Sequence, residues 1–208
     1  MFEWMTGAAN NDAITMLKQD HDNVKELFDQ FEKAEGKAEK RKIARQALEE
    51  LRVHALVEEE IFYPAVRAKL EKNDGEIMNE ADEEHHVAKL LIAELDSANG
   101  NSDHFDAKFT VLAESVRHHI KEEEGEMLPK AKALDIDFEA LGQEMERRKQ
   151  EVKAQGLPKT SEDKLISTCG PVDSPAKAAR AKRAPARRPK TTAAASNSKK
   201  KRTARTSR

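Results

Sequence analysis

From Ile14 to Glu123 apolar residues recur in steps of three and four, the period of helices that bury one face. The first seam is Ile14, Leu17, His21, Val24, Phe28 and Phe31, opened by the N-cap residues Asn11 and Asp12 and closed by Gly36. A second helix, expected over about 37–71, has the seam Ala47, Leu51, His54, Glu58, Ile61 and Ala65. Pro64 lacks an N–H and is expected to bend it, and Asn73-Asp74-Gly75 to turn the chain. The third seam is Met78, Ala81, His85, Ala88, Ile92 and Leu95, ended by the polar stretch 99–103; the fourth is Phe105, Phe109, Leu112, Val116, His119 and Glu123. Short loops between consecutive helices impose an up-down-up-down order in which the four seams face one another.

A fifth helix is expected from about Ile136 to Gln155, with Ile136, Phe138, Leu141 and Met145 inward and Gly156-Leu157-Pro158 as its stop. The predicted fold is therefore all-α: a four-helix bundle, an additional helix and a disordered basic C-terminal tail. The expected boundaries are an N-terminal arm over 1–11 that includes Trp4, the bundle over 12–131, the additional helix over 132–157, and a linker and tail over 158–208.

The polar residues on these seams repeat. His54 to Pro64 reads HALVEEEIFYP and His119 to Pro129 reads HIKEEEGEMLP, each a His-x-x-x-Glu-Glu with a proline ten residues after the histidine. His21 precedes His54 by 33 residues and His85 precedes His119 by 34, each first histidine followed by Lys at +4 and Leu at +6. The chain thus writes one helical hairpin twice, each with two histidines and one glutamate on the buried face. A histidine and a glutamate four apart share a helix face and reach one metal ion.

Burying four imidazoles and two carboxylates in one layer costs many kcal/mol if they are unpaired, because one isolated buried charge already costs several. Two divalent cations remove that cost: two carboxylates bridge, each metal takes two imidazoles, and open positions remain for a small ligand. Imidazole and carboxylate without thiolate suit iron first, and manganese or zinc next. The remaining glutamates of Glu58-Glu59-Glu60 and Glu122-Glu123-Glu124 read as a solvated face. His86 and His118 point about 100° away from their neighbours on the seam, to the surface or beside the site, and His104 sits at a helix start. Tyr63, the single tyrosine, reads first as a residue packed against a neighbouring helix and second as a hydroxyl supplied near the metals.

The segments KQDHDNVKELF, HALVEEEIFYP, EEHHVAKLL and HHIKEEEGEMLP resemble the four ligand segments of the hemerythrin-like, or HHE cation-binding, domains, over roughly residues 12–131. The resemblance implies a di-iron site in an up-down four-helix bundle, with ligands at His21, His54, Glu58, His85, His119 and Glu123. The seams lead to the same six. Oxygen-carrying hemerythrins place a second histidine four residues after the third-helix ligand, where this chain has Lys89. They also place the last carboxylate at +5, so Glu124 stands as the alternate to Glu123.

Composition changes the picture at one end of the chain. Residues 176–208 hold 13 of the 37 Lys and Arg and none of the 39 Asp and Glu, which leaves an acidic body and a basic tail inside a net charge of −2. From Pro175 onward there is no aromatic residue and no Val, Ile, Leu or Met, so the tail is expected to be disordered when free. Arg183, Arg187, Arg188, Lys199, Lys200, Lys201 and Arg202 are its candidate contacts to DNA or RNA, by phosphate neutralisation rather than base readout.

No run of 18 apolar residues and no basic-then-apolar leader is present, so the expected location is cytoplasmic, with a nucleoid association through the tail, and no membrane partner. The lone Cys169 excludes an internal disulfide and reads as an incidental thiol. Two functions follow. One is a non-haem di-iron protein that binds or senses O2, NO or peroxide, or handles iron, with any catalysis confined to redox turnover at the metals. The alternative is a nucleic-acid-associated structural protein in which the bundle is a regulatory or protective module.

Overall fold

The computed structural model describes residues 12–70, 75–98 and 104–169. The expected arm over 1–11, the turn residues Asn73 and Asp74, the stretch 99–103 and the basic tail with its seven candidate contacts lie outside the described residues. All regular structure among those residues is helical: α1 (Ala13–Lys33), α2 (Lys37–Val57), α3 (Tyr63–Arg67), α4 (Glu76–Ala98), α5 (Phe105–Glu122), α6 (Leu128–Lys132), α7 (Phe138–Gln155) and α8 (Ser161–Cys169). Two π-helical segments, Glu58–Phe62 and Glu123–Met127, join α2 to α3 and α5 to α6. The four long rods of the bundle are α1, α2 with α3, α4, and α5 with α6.

Helix starts follow local chemistry. Asp12 caps α1, its carboxylate accepting from the Thr15 N–H at 3.0 Å, and Asp137 caps α7 by accepting from Ala140. Each such cap is worth about 1 kcal/mol. Gly156 ends α7 with φ of 89°, a left-handed value that suits a residue without Cβ.

The seams bury as expected around His21, His54, His85 and His119, except that Ile14 and Ala88 are half-buried, and after Glu58 the second rod departs from the pattern. Ile61 and Ala65, expected inward, are only half-buried, and Phe62, Tyr63 and Val66 are in the core instead. The π segment is the reason: the Tyr63 N–H bonds to the Glu58 carbonyl, five residues back, so one extra residue enters the turn and the inward positions slide by one. The fourth rod does the same, Leu128 bonding back to Glu123. The irregularity expected at Pro64 therefore lies just upstream of it, and Pro64 and Pro129 sit in the first turns of α3 and α6, where a missing N–H is tolerated.

The core has two apolar halves. One joins Val24, Phe28 and Phe31 of α1 to Leu48, Leu51, Ile92, Phe109 and Leu112. The other joins Leu17 to Val57, Phe62, Met78, Leu128 and Met145. Both halves are apolar, the second with four methionines, and each fully buried large side chain contributes about 1.5–3 kcal/mol. The histidines and their two glutamates lie between the halves along every rod. The additional helix packs on α1 and α2 through Met145 and Val152, with Ile136, Phe138 and Leu141 half-buried beside them.

The stretch 158–169, expected as part of a disordered linker, contains α8, which packs along α4. Its apolar content is small, Ile166 being buried, and polar pairing supplies the rest. Thr160 and Asp163 cap each other, the Asp163 N–H donating to the Thr160 hydroxyl at 3.1 Å and the Thr160 N–H to the Asp163 carboxylate at 3.0 Å. Arg52 holds Asp163 with two bonds of 2.8 and 2.7 Å, and buried Glu162 meets His86 Nδ1 at 2.8 Å.

Burial would raise Glu162, but the His86 hydrogen bond takes it from 4.5 down to about 2, and the Arg52 pair takes Asp163 from 3.8 to about 2. Carboxylates depressed by docking stabilise the docked helix fully above their free values and lose that contribution as pH falls through the docked ones. Amide protection over 161–169, taken relative to the intrinsic exchange rate at each pH, is therefore expected to be greatest at about pH 5 and to fall steadily down to about pH 2. Protection that stays constant across this window would contradict these pairings.

Candidate metal centre

His54 and Glu58, like His119 and Glu123, lie four apart at the ends of α2 and α5, where the helix and the first residue of the π segment keep both side chains on the inward face. His21 and His85 come from the middles of α1 and α4. All six residues are buried, with relative exposure between 0% for Glu58 and 8% for His54. The rings pair within each hairpin, His21 with His54 and His85 with His119, both with centroids 4.8 Å apart.

Potential ligand atoms converge in two groups, each within 4.8 Å: His21, His54, Glu58 and Glu123; and Glu58, His85 and His119. Glu58 belongs to both. Its Oε2 is 3.1 Å from His54 Nε2 and 3.3 Å from His85 Nε2, and Glu123 Oε2 is 3.0 Å from His21 Nε2 and 3.9 Å from His119 Nε2. These approaches are close but lack hydrogen-bond geometry: His21 Nε2, His54 Nε2 and all four oxygens of Glu58 and Glu123 are buried without a hydrogen-bond partner. Such a concentration of orphaned lone pairs is costly in an apolar interior, and a pair of cations fits it.

Each ring turns its other nitrogen outward to a carboxylate. Nδ1 meets Glu124 at 3.0 Å in His21, Asp20 at 3.3 Å in His54, Glu59 at 3.0 Å in His85 and Glu84 at 2.8 Å in His119. An ionised carboxylate only accepts, so Nδ1 donates and Nε2 is aimed into the layer, the arrangement that orients metal-binding imidazoles. Three of the four carboxylates are in turn held by lysines: Glu124 by Lys25, Glu59 by Lys89, and Asp20 by Lys149 of α7. Lys25 and Lys89 are the +4 lysines of the repeat. Glu59, expected as solvated, and Glu124, expected as solvated or as the alternate to Glu123, each hold a histidine instead.

The charges of the layer respond to one another. Burial would depress His54, but the Glu58 charge and the Asp20 hydrogen bond lift it to about 10; His85, against the same burial, is lifted to about 9 by Glu58 and Glu59. Burial would raise Glu58, yet His54 and His85 hold it well below the usual range, whereas Glu123 is pushed up by burial and then by the Glu58 charge. Positive charge is favoured in this layer, whether as protons or as metal.

Two clefts flank the Glu59–Lys89 pair. One, of about 270 Å³, is lined by Glu59, Tyr63, Pro64, Arg67, Asp82 and Lys89; the other, of about 250 Å³, runs between α2 and the start of α8. At the first, Tyr63 both packs in the core and places its hydroxyl 3.4 Å from His85 Nε2, so the hydroxyl reading ranks equally with the packing one. Of the surplus histidines, His86 pairs with Glu162, exposed His118 lies 3.2 Å from Glu122, and His104 stands at the start of α5. Among the alternates, Glu123 enters the layer and Glu124 stays at its rim, 30% exposed. Lys89 turns to Glu59 rather than into the layer.

A buried His/Glu layer between two apolar halves of an up-down bundle defines a cation-binding helical protein. Residues 12–131 match the hemerythrin HHE cation binding domain, and the chain belongs to that family. A crystal structure of a hemerythrin HHE cation binding domain-containing protein from Mycobacterium kansasii shares the fold, with a TM-score of 0.59 and 23% identity over 76% of this chain and 94% of that one. A protein named DNA nickase from Nostoc sp. is 26% identical over 109 residues, a stretch that is 52% of this chain and 30% of the nickase. No helix among the described residues is long and apolar enough to cross a membrane.

Proposed function

We propose that His21, His54, Glu58, His85, His119 and Glu123 hold two iron ions, and that the centre binds or senses a small diatomic molecule or peroxide, or handles iron. The observation that supports this best is the set of buried inward nitrogen and oxygen atoms without hydrogen-bond partners on His21, His54, Glu58 and Glu123. Manganese and zinc share these donors; iron ranks first for a nitrogen and oxygen set without thiolate. Bound iron supplies one-electron redox change and open positions for a small ligand.

The chain's own residues do the remainder. Asp20, Glu59, Glu84 and Glu124 keep the Nδ1 protons in place, so each imidazole presents its lone pair to the layer. The two apolar halves exclude bulk water. The cleft at Tyr63 gives a small molecule a short approach, and burial pushes the Tyr63 hydroxyl well above its usual 10.0, so it stays protonated and able to donate a hydrogen bond. Lys89 stands where oxygen carriers have a histidine, and its pairing with Glu59 weighs against reversible oxygen carriage.

Elemental analysis with an absorption spectrum of aerobically purified protein tests this reading. Two irons per chain and near-ultraviolet charge-transfer absorption are expected. Protein that carries zinc alone and is silent in that region would overturn iron.

A second reading concerns the tail, whose 13 Lys and Arg over 176–208 face no acidic residue in that stretch. Its composition suits nucleic-acid phosphates, and the likeness to part of a DNA nickase points to the same class of partner. The two functions are compatible in one chain.

A further inference from the structure

The four carboxylates behind the histidines are alike in position but not in partners. Glu124, Glu59 and Asp20 each receive a lysine ammonium, from Lys25, Lys89 and Lys149. Among the described residues no lysine is bonded to Glu84, behind His119; beside it stand His118 and Glu122, one potential ligand atom of each of the three lying within 4.8 Å of the others. The asymmetry has a structural origin. The lysine behind Asp20 comes from α7, which packs on α1 and α2, whereas among the described elements α4 is packed by α8.

The trio has the chemistry of an open cation site. His118 and Glu122 are four apart on α5, the same His-x-x-x-Glu spacing as His119 and Glu123 but turned one residue toward solvent, and His118 Nε2 is 3.2 Å from Glu122 Oε1. Glu84 comes across from α4, its Oε2 on His119 Nδ1 at 2.8 Å. The side chains are 20%, 61% and 38% exposed for Glu84, His118 and Glu122, so the trio is open to water. One imidazole and two carboxylates suit zinc, ferrous iron or manganese rather than calcium or magnesium.

We propose that Glu84, His118 and Glu122 form a peripheral site for a divalent transition-metal cation, which supplies behind Glu84 the positive charge that lysines supply behind the other three carboxylates. Because Glu84 also holds His119, this ion sits one carboxylate from the buried layer, where it stages metal for entry. The staging role rests on the ligand assignment proposed above; the site itself does not.

The test titrates zinc into full-length protein already loaded with iron, followed by calorimetry. One further zinc per chain is expected, bound more weakly than the buried ions and lost in His118→Ala and in Glu122→Gln. Both residues are surface positions on α5, and unchanged helical circular dichroism with unchanged iron content checks that the variants fold. A loaded wild-type protein that takes no further zinc, or variants that retain it, would overturn the site. For staging, ferrous iron uptake by metal-free protein is expected to be several-fold slower in His118→Ala with the same final iron content, and equal rates would overturn that role. Failure of the protein to hold any buried iron at the outset would instead count against the ligand assignment.

Discussion

Replacing His54 and His119 together by alanine is expected to abolish binding of both buried metal ions. Each supplies one of the two inward imidazoles of its hairpin, and each stands one turn from a glutamate whose oxygens have no hydrogen-bond partner. The single variants are expected to lose most of their metal. The loss is not confined to one bond, because Glu58 lies within reach of His54 and His85 alike, so removing either ring disturbs both halves of the layer. His86→Ala is the matched control: it is next to a seam histidine, on the same helix, and turned outward to Glu162. Asp20→Asn should give an intermediate result, with both ions retained but affinity lowered about 10–100-fold, the usual cost of removing a carboxylate behind an imidazole. Metal content measured after dialysis separates these outcomes. Two ions per chain in the double variant would show that the seam histidines are not ligands.

What the residues disclosed beforehand follows from how rare a polar residue is on a buried seam. His21, His54, Glu58, His85, His119 and Glu123 interrupt apolar positions at helical spacing, and the repeat links them, so the buried layer was legible in order and composition. The outer carboxylates were not. In a chain with 39 acidic residues a glutamate beside a seam looks solvated, and only its recurrence carries a signal. Asp20 and Glu84 each precede the first histidine of a repeat, and Glu59 and Glu124 each follow its buried glutamate. The +4 lysines, Lys25 and Lys89, were visible as part of the same repeat, but their role needed the fold.

The π segments escaped notice for another reason. Ile61 and Phe62 are both apolar, as are Ala65 and Val66, so a slide of one residue leaves the three-and-four rhythm intact. Only the backbone tells which of each pair turns inward. The slide matters to the site, because it lets Glu58 and Tyr63 both face the interior although they are five apart. Helix α8 was hidden by composition: its single buried aliphatic, Ile166, carries no period. The Thr160-x-x-Asp163 spacing is a capping box, and it was the local signal available.

Full-length protein is expected to bind duplex DNA without regard to sequence, and a chain stopped at Ser174 to lose most of that affinity. The 13 positive charges over 176–208 come with alanine, proline, serine and threonine, which supply no constellation for reading base edges but can neutralise phosphates along the backbone. Each phosphate neutralised contributes roughly −0.9 to the slope of log K against log salt, so a tail that engages six or more loses about a thousandfold in affinity between about 50 and 200 mM salt. The body opposes this. Residues 1–175 hold 24 basic against 39 acidic residues, and at low salt they compete with DNA for the tail, which flattens the slope there. Titration of both chains with the same unrelated duplexes over a range of salt measures the two effects together. If truncation leaves affinity and slope unchanged, the tail has no role on nucleic acid, and the function of the protein resides in its metal layer.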